Sequence, residues 1–134
     1  MRREYYCLKC RANLNPNVKI ALVVVNGDRK ALALFDPQPG NYEVIVHDDL
    51  RLRPGDQVEF LCPVCHADLT SPVDSRLAAI GYRVGDSVQG RVDFSKVKGE
   101  HATFFITRER VEAFGENANL YGGVNFFGEG LKEE

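Results

Sequence analysis

Tryptophan is absent from this chain, and methionine occurs once, at residue 1. No second thioether is therefore at hand to serve as an axial haem ligand. Neither sign of charge dominates: 17 Lys and Arg face 19 Asp and Glu, for a net charge of -2 and a pI near 5.9. That balance excludes a global attraction to nucleic acid or to an anionic membrane. Long apolar runs are missing too. The longest, "IALVVV", is far too short to cross a bilayer. "MRREYYCLKC" has basic residues with no apolar segment after them, so the reading is of a cytoplasmic protein without a secretory signal. Histidine occurs three times. No P-loop, G-x-S-x-G or H-E-x-x-H is present, and His47 and His101 lack the Glu two residues on that a zinc deaminase needs. Catalysis is not expected.

Four cysteines are present. At 134 residues, with 44% hydrophobic and 27% charged residues, the chain can bury one ordinary core without disulfides. In a reducing compartment four cysteines bind metal more often than they pair. "YYCLKCRANL" (5–14) set above "FLCPVCHADL" (60–69) shows a repeat. Both carry an aromatic two residues before C-x-x-C (Tyr5, Phe60). Both follow it with Ala (Ala12, Ala67), a short polar residue (Asn13, Asp68) and Leu (Leu14, Leu69). Each unit reads as a strand end and a tight turn presenting two thiolates, with the trailing Leu beneath as a shield. Together Cys7, Cys10, Cys62 and Cys65 supply a closed four-thiolate site.

The pair resembles the knuckles of the zinc ribbon class, which usually read C-P-x-C-G-x-x-L. Cys62, Pro63, Cys65 and Leu69 match well; Cys7, Cys10 and Leu14 match more loosely. Arg11 and His66 stand where Gly is usual, and Leu8 where Pro is usual. A positive φ costs a non-Gly residue about 1 kcal/mol or more, so a less extreme backbone angle is expected at Arg11 and His66. The resemblance covers about 20 residues and implies bound zinc, with iron as a possible substitute.

Two other chemistries compete for these cysteines. Cys62–His66 has the C-x-x-C-H form of a haem attachment site. That reading lacks an export signal and an axial Met, and it leaves Cys7 and Cys10 unexplained. A thioredoxin-like dithiol needs a helix start after C-x-x-C, whereas "HADLTSPVD" follows Cys65. A redox-switched zinc site, able to form two disulfides on losing its metal, stays open.

Fifty-one residues separate Cys10 from Cys62, too many for a minimal ribbon. Residues 18–35 read as two strands around Asn26-Gly27; 42–49 and 57–61 supply two more. Beyond Leu69, 76–84, 87–94 and 101–111 read as strands, and 108–114 as at most a turn or two of helix. The expected fold is mostly β: about seven strands in a compact antiparallel sheet pair or partial barrel, closed by the four-cysteine site. One domain spans 1–114. Residues 115–134 form a Gly-rich, acidic C-terminal tail whose composition predicts mobility. Leu120, Tyr121, Phe126 and Phe127 argue for docking on the chain's own sheet or on a partner, and association is favoured.

The remaining candidates read more plainly. His66 is either a solvent-facing knuckle residue or a replacement or supporting group for a thiolate. His47 beside Asp48 and Asp49 reads as a turn, and His101 as a strand end. Arg2, Arg3, Lys9 and Arg11 against Glu4 make a local excess of basic charge. They either balance a negative zinc centre or, with Tyr5 and Tyr6 stacking on bases, bind nucleic acid. The expected function is a non-catalytic zinc-binding β-domain acting as a protein-interaction or regulatory module, with a protein partner or self-association through the tail and no membrane. The alternatives are a nucleic-acid-binding zinc ribbon and a cysteine-based redox or zinc sensor.

Overall fold

The computed structural model describes residues 3–16, 18–37, 44–46, 53–85, 88–107, 110–122, 124 and 126. Among them lie nine strands: β1 (Arg3–Tyr6), β2 (Ile20–Asn26), β3 (Arg29–Phe35), β4 (Val44–Val46), β5 (Glu59–Leu61), β6 (Leu77–Val84), β7 (Val88–Ser95), β8 (Thr103–Ile106) and β9 (Val111–Phe114). They form two antiparallel sheets and no closed barrel. One has five strands in the order β1-β6-β7-β8-β9, the other four in the order β4-β3-β2-β5. The one described helix is a 3-10 turn, Ala118–Tyr121. No helix among the described residues is long and apolar enough to cross a membrane.

Tyr6 pairs with Gly81 as Leu61 pairs with Val23, and Tyr82 with Gly90 as Val24 with Ala31. Val92 then pairs with Phe105 as Ala33 with Val46. Strands β1–β4 and β5–β8 therefore correspond one to one, with a twist. The leading strand of each half pairs with the second strand of the other: β1 with β6, and β5 with β2. The repeat visible at the knuckles is thus half of a larger repeat, whose two copies exchange their first strands.

Alternation along β2 sends Ile20, Leu22 and Val24 inward, where they meet Tyr5, Ile80, Tyr82 and Val92 from the other sheet in one core. Phe60 and Phe94 meet edge to face at 5.3 Å, with Phe35 beside both. Across β1 and β6, the Tyr6 ring lies on Gly81, where a Cβ would run into it. Lys96, 3% exposed, links the two sheets within the second half: its Nζ donates to Glu59 Oε1 of β5 at 2.6 Å and to Thr70 Oγ1 at 2.9 Å.

A second, smaller core lies on the outer face of the five-stranded sheet. There Tyr121 and Phe126 pack on Phe104 and Leu77, with the Phe104 and Phe126 rings 4.5 Å apart. Tyr121 donates its hydroxyl to Glu100 and lies 4.4 Å under the Arg76 guanidinium; burial above all pushes its phenol up to about 12. Arg91 donates to the Phe126 carbonyl at 2.8 Å and to Asp93 Oδ1 at 2.6 Å. Burial pushes the Asp93 carboxyl up, opposed by the Ser71 hydroxyl at 2.5 Å and by Arg91. Leu120 stays 55% exposed, and Phe127 lies outside the described residues.

Three local expectations change. Asn26 pairs with Arg29, so the loop is Gly27-Asp28, one residue later than Asn26-Gly27, with glycine at φ +66° in its first position. Val111–Phe114 is a strand, not a helical turn: it has the edge of β8 to pair with. Nine strands replace the expected seven because β1 and β9 are four-residue segments too short to show periodicity.

Candidate metal centre

Each knuckle begins at the end of a leading strand, Tyr6 of β1 or Leu61 of β5. The same hydrogen bonds then fold both turns. Arg11 N–H donates to the Cys7 carbonyl and His66 N–H to the Cys62 carbonyl, each at 2.9 Å. Cys7 N–H reaches the Ala12 carbonyl and Cys62 N–H the Ala67 carbonyl, each at 3.0 Å. Leu14 N–H returns to the Tyr5 carbonyl at 2.7 Å, and Leu69 N–H to the Phe60 carbonyl at 2.9 Å. Even the matched polar residues act alike: Asn13 Oδ1 accepts from Asn15 N–H, and Asp68 Oδ1 from Thr70 N–H. The similarity of the two decapeptides is a similarity of turn chemistry.

Arg11 and His66 take φ of 68° and 64°. The expected milder angle is not adopted, because the turn that aims the second thiol of each pair needs a left-handed residue there. Arg11 also lies over the Tyr6 ring at 5.5 Å, a contact that offsets part of the strain. His66 is exposed and outside the sulfur cluster.

Cys7, Cys10, Cys62 and Cys65 come together with all sulfurs within 4.8 Å of one another. Cys7 and Cys65 are 3.8 Å apart, Cys10 and Cys62 3.7 Å, and none is in a disulfide. A tetrahedron with metal–sulfur bonds of about 2.3 Å has edges of about 3.8 Å. The spacing therefore fits a metal ion held by four thiolates. Cys7 and Cys62 are buried, Cys10 and Cys65 exposed, which repeats the correspondence of the halves. Leu14 and Leu69, 1% and 3% exposed, lie in the core beneath.

No protein-family model, curated protein or solved structure matches the chain.

The electrostatics explain why four thiols held this close call for a cation. Cys7 Sγ accepts from Lys9 and Cys10 N–H at 3.3 and 3.5 Å, and Cys62 Sγ from Val64 and Cys65 N–H at 3.3 and 3.4 Å. Burial pushes the Cys62 thiol up, but the N–H groups of Cys65 and Val64, helped by the Cys10 and Cys65 thiols, bring it down to about 7. At Cys10 the Ala12 N–H favours the thiolate, yet burial and the competing Cys65, Cys62 and Cys7 groups carry it up to about 11. One sulfur ionises readily and its neighbour resists. A bound cation removes that conflict, and a coordinated thiol is deprotonated outright.

The other sequence candidates do not join this site. His47, Asp48 and Asp49 lie outside the described residues, as does Arg2. His101 sits 3.8 Å from Glu116 and takes part in the turn beside Asn117. Tyr5 and Tyr6, the proposed base-stacking pair, are 2% and 8% exposed, and Tyr5 donates its hydroxyl to the Pro37 carbonyl. The sequence reading missed Gly81, which makes room for Tyr6 behind the first knuckle. Its one signal was an isolated glycine inside a strand pattern.

Proposed function

We propose that this chain is a non-catalytic zinc-binding β-domain that serves as a protein-interaction or regulatory module. The observation that carries the reading is the convergence of four cysteine sulfurs, all within 4.8 Å of one another, from the turns that follow strands of two different sheets. Four thiolates close the coordination shell and leave no position for substrate, which is the arrangement of structural zinc. Zinc suits a soft all-sulfur tetrahedral site, and iron is the substitute that it also accepts. Because the two leading strands are exchanged, one ion here holds both halves at their crossing. Association through the segment after Gly115 would draw on Leu120, since Tyr121 and Phe126 are engaged on the chain's own sheet. Elemental analysis of protein purified without chelator tests the metal: about one zinc per chain is expected, and no metal in a folded protein overturns the reading.

One observation favours a second reading, a redox sensor: Cys10 and Cys65 are exposed residues, one from each knuckle. Two equivalents of peroxide would convert the four thiolates into two disulfides, each peroxide taking two electrons and leaving as two hydroxides, with the metal released. Zinc release that tracks low peroxide doses supports the sensor. Retention of zinc under that treatment supports the structural module.

A further inference from the structure

The correspondence of the halves sets Cys7 in the place of Cys62 and Cys10 in the place of Cys65. Two sulfur pairs meet in van der Waals contact, and both run from one knuckle to the other: Cys7 to Cys65 at 3.8 Å and Cys10 to Cys62 at 3.7 Å. Exchanging the halves turns either pair into the other, and each joins a buried cysteine to an exposed one. Within a knuckle the neighbours are different. The N–H groups of Lys9 and Cys10 donate to the Cys7 sulfur, and those of Val64 and Cys65 to the Cys62 sulfur. Each buried sulfur thus has backbone donors from its own turn and a cysteine sulfur from the opposite one.

We propose that oxidation pairs the cysteines across the knuckles, Cys7 with Cys65 and Cys10 with Cys62, so that two disulfides take over the metal's hold on the two halves. The proposal rests on the redox-sensor reading and names the form that the oxidised chain takes. Without oxidant the site keeps its metal. Attack on peroxide by Cys10, the exposed residue of its pair, breaks the O–O bond, leaves a sulfenic acid on sulfur and releases hydroxide. The Cys62 thiolate then attacks that sulfur, the S–S bond forms and a second hydroxide leaves. The same steps at Cys65 and Cys7 consume a second peroxide. Four thiolates thereby give up four electrons, and the divalent ion departs as its ligands are lost. The cross pairs close loops over separations of 58 and 52 residues, and closing long loops takes much freedom from the unfolded chain. Disulfides within the knuckles span separations of three residues and leave the halves free of each other. With cross pairs the oxidised chain gives up its metal yet stays closed, and reduction restores the thiolates at the spacing the metal needs.

Disulfide mapping of the zinc-loaded full chain tests this. About two equivalents of peroxide per chain are added, remaining thiols are alkylated, and the unfolded protein is digested with trypsin without reduction. Cleavage after Lys9 separates Cys7 from Cys10. The expected product joins both of those peptides to the one that carries Cys62 and Cys65, and tandem fragmentation assigns Cys7–Cys65 and Cys10–Cys62. Disulfides Cys7–Cys10 and Cys62–Cys65, or Cys7–Cys62 with Cys10–Cys65, overturn the proposal. A parallel arm treats the zinc-loaded chain with excess diamide, a thiol oxidant that takes up two electrons per disulfide, and the same map is expected. Zinc retained under peroxide, together with cross pairs under diamide, defeats the sensor reading and upholds the pairing. Thermal melts give an independent readout: the oxidised, zinc-free chain should melt well above the reduced chain in chelator. Equal melting temperatures overturn the claim that the disulfides replace the metal's clamp.

Discussion

On the outer face of the five-stranded sheet, Phe104 lies under Phe126 and beside Tyr121; at the matching place on the four-stranded sheet, Ile45 is 59% exposed. The knuckles show the opposite relation, because hydrogen bonds, backbone angles and burial of the sulfurs agree from one half to the other. The difference teaches where each half is constrained. A tetrahedral site admits little variation in the turn that delivers a thiolate, whereas a sheet face only has to suit what covers it. In the second half that cover is the chain's own C-terminal segment, secured by Arg91 on the Phe126 carbonyl. The first half keeps the metal turn and leaves the face open.

The largest expected effect is at the likeness itself. Cys7→Ser and Cys62→Ser should lose metal and most of the stability together, since thiolate-bound zinc contributes of order 10 kcal/mol in small domains. Cys10→Ser and Cys65→Ser should follow the same pattern, because their exposure does not lessen their share of the coordination. Urea melts with parallel metal analysis check this; a stable, folded Cys7→Ser protein would break the equivalence of the knuckles.

The two outer faces give the next contrast. Phe126→Ala should cost about 3–5 kcal/mol, the usual loss for a buried aromatic. Leu32→Ala should stay within about 0.5 kcal/mol. Equal effects at the two sites would mean that the four-stranded face is covered in the single chain after all.

Smaller still is the effect of Gly81→Ala, expected at about 1–3 kcal/mol because the new Cβ meets the Tyr6 ring. The corresponding position on β2 is Val23, which already carries a side chain. Val23→Ala therefore probes the same register without a clash and should cost less.

Much of the metal site could be read from the sequence because each knuckle is a contiguous decapeptide whose turn needs particular residues at particular places. The pairing of the halves could not be read. Strand β1 finds β6 rather than β2, and nothing in "REYY" names its neighbour; antiparallel pairing requires only that side chains fit. Tyr6 opposite Gly81 and Leu61 opposite Val23 are equivalent pairs with no residue in common. Strand β9 was hidden for a different reason: its local pattern is weak, and the exposed edge of β8 supplies the order. The mostly β class, the β2–β3 hairpin and the four strands between the knuckles were legible, since alternation and turn residues report them directly.

The smallest effect separates the knuckles from each other. His66→Gly should stabilise by about 1 kcal/mol by relieving a left-handed backbone. Arg11→Gly should gain less, because Arg11 also covers Tyr6 and a contact of that kind is worth about 0.5–1 kcal/mol. Thermal melts of the zinc-loaded variants would show the ordering, and a loss of stability in His66→Gly would contradict the turn geometry.

X-ray absorption at the metal edge tests the central claim most directly. The account predicts about one zinc per chain with four sulfur neighbours at about 2.3 Å and no nitrogen or oxygen in the shell. A shell containing nitrogen or oxygen, or a folded protein with its four cysteines in two disulfides and no metal, would contradict it.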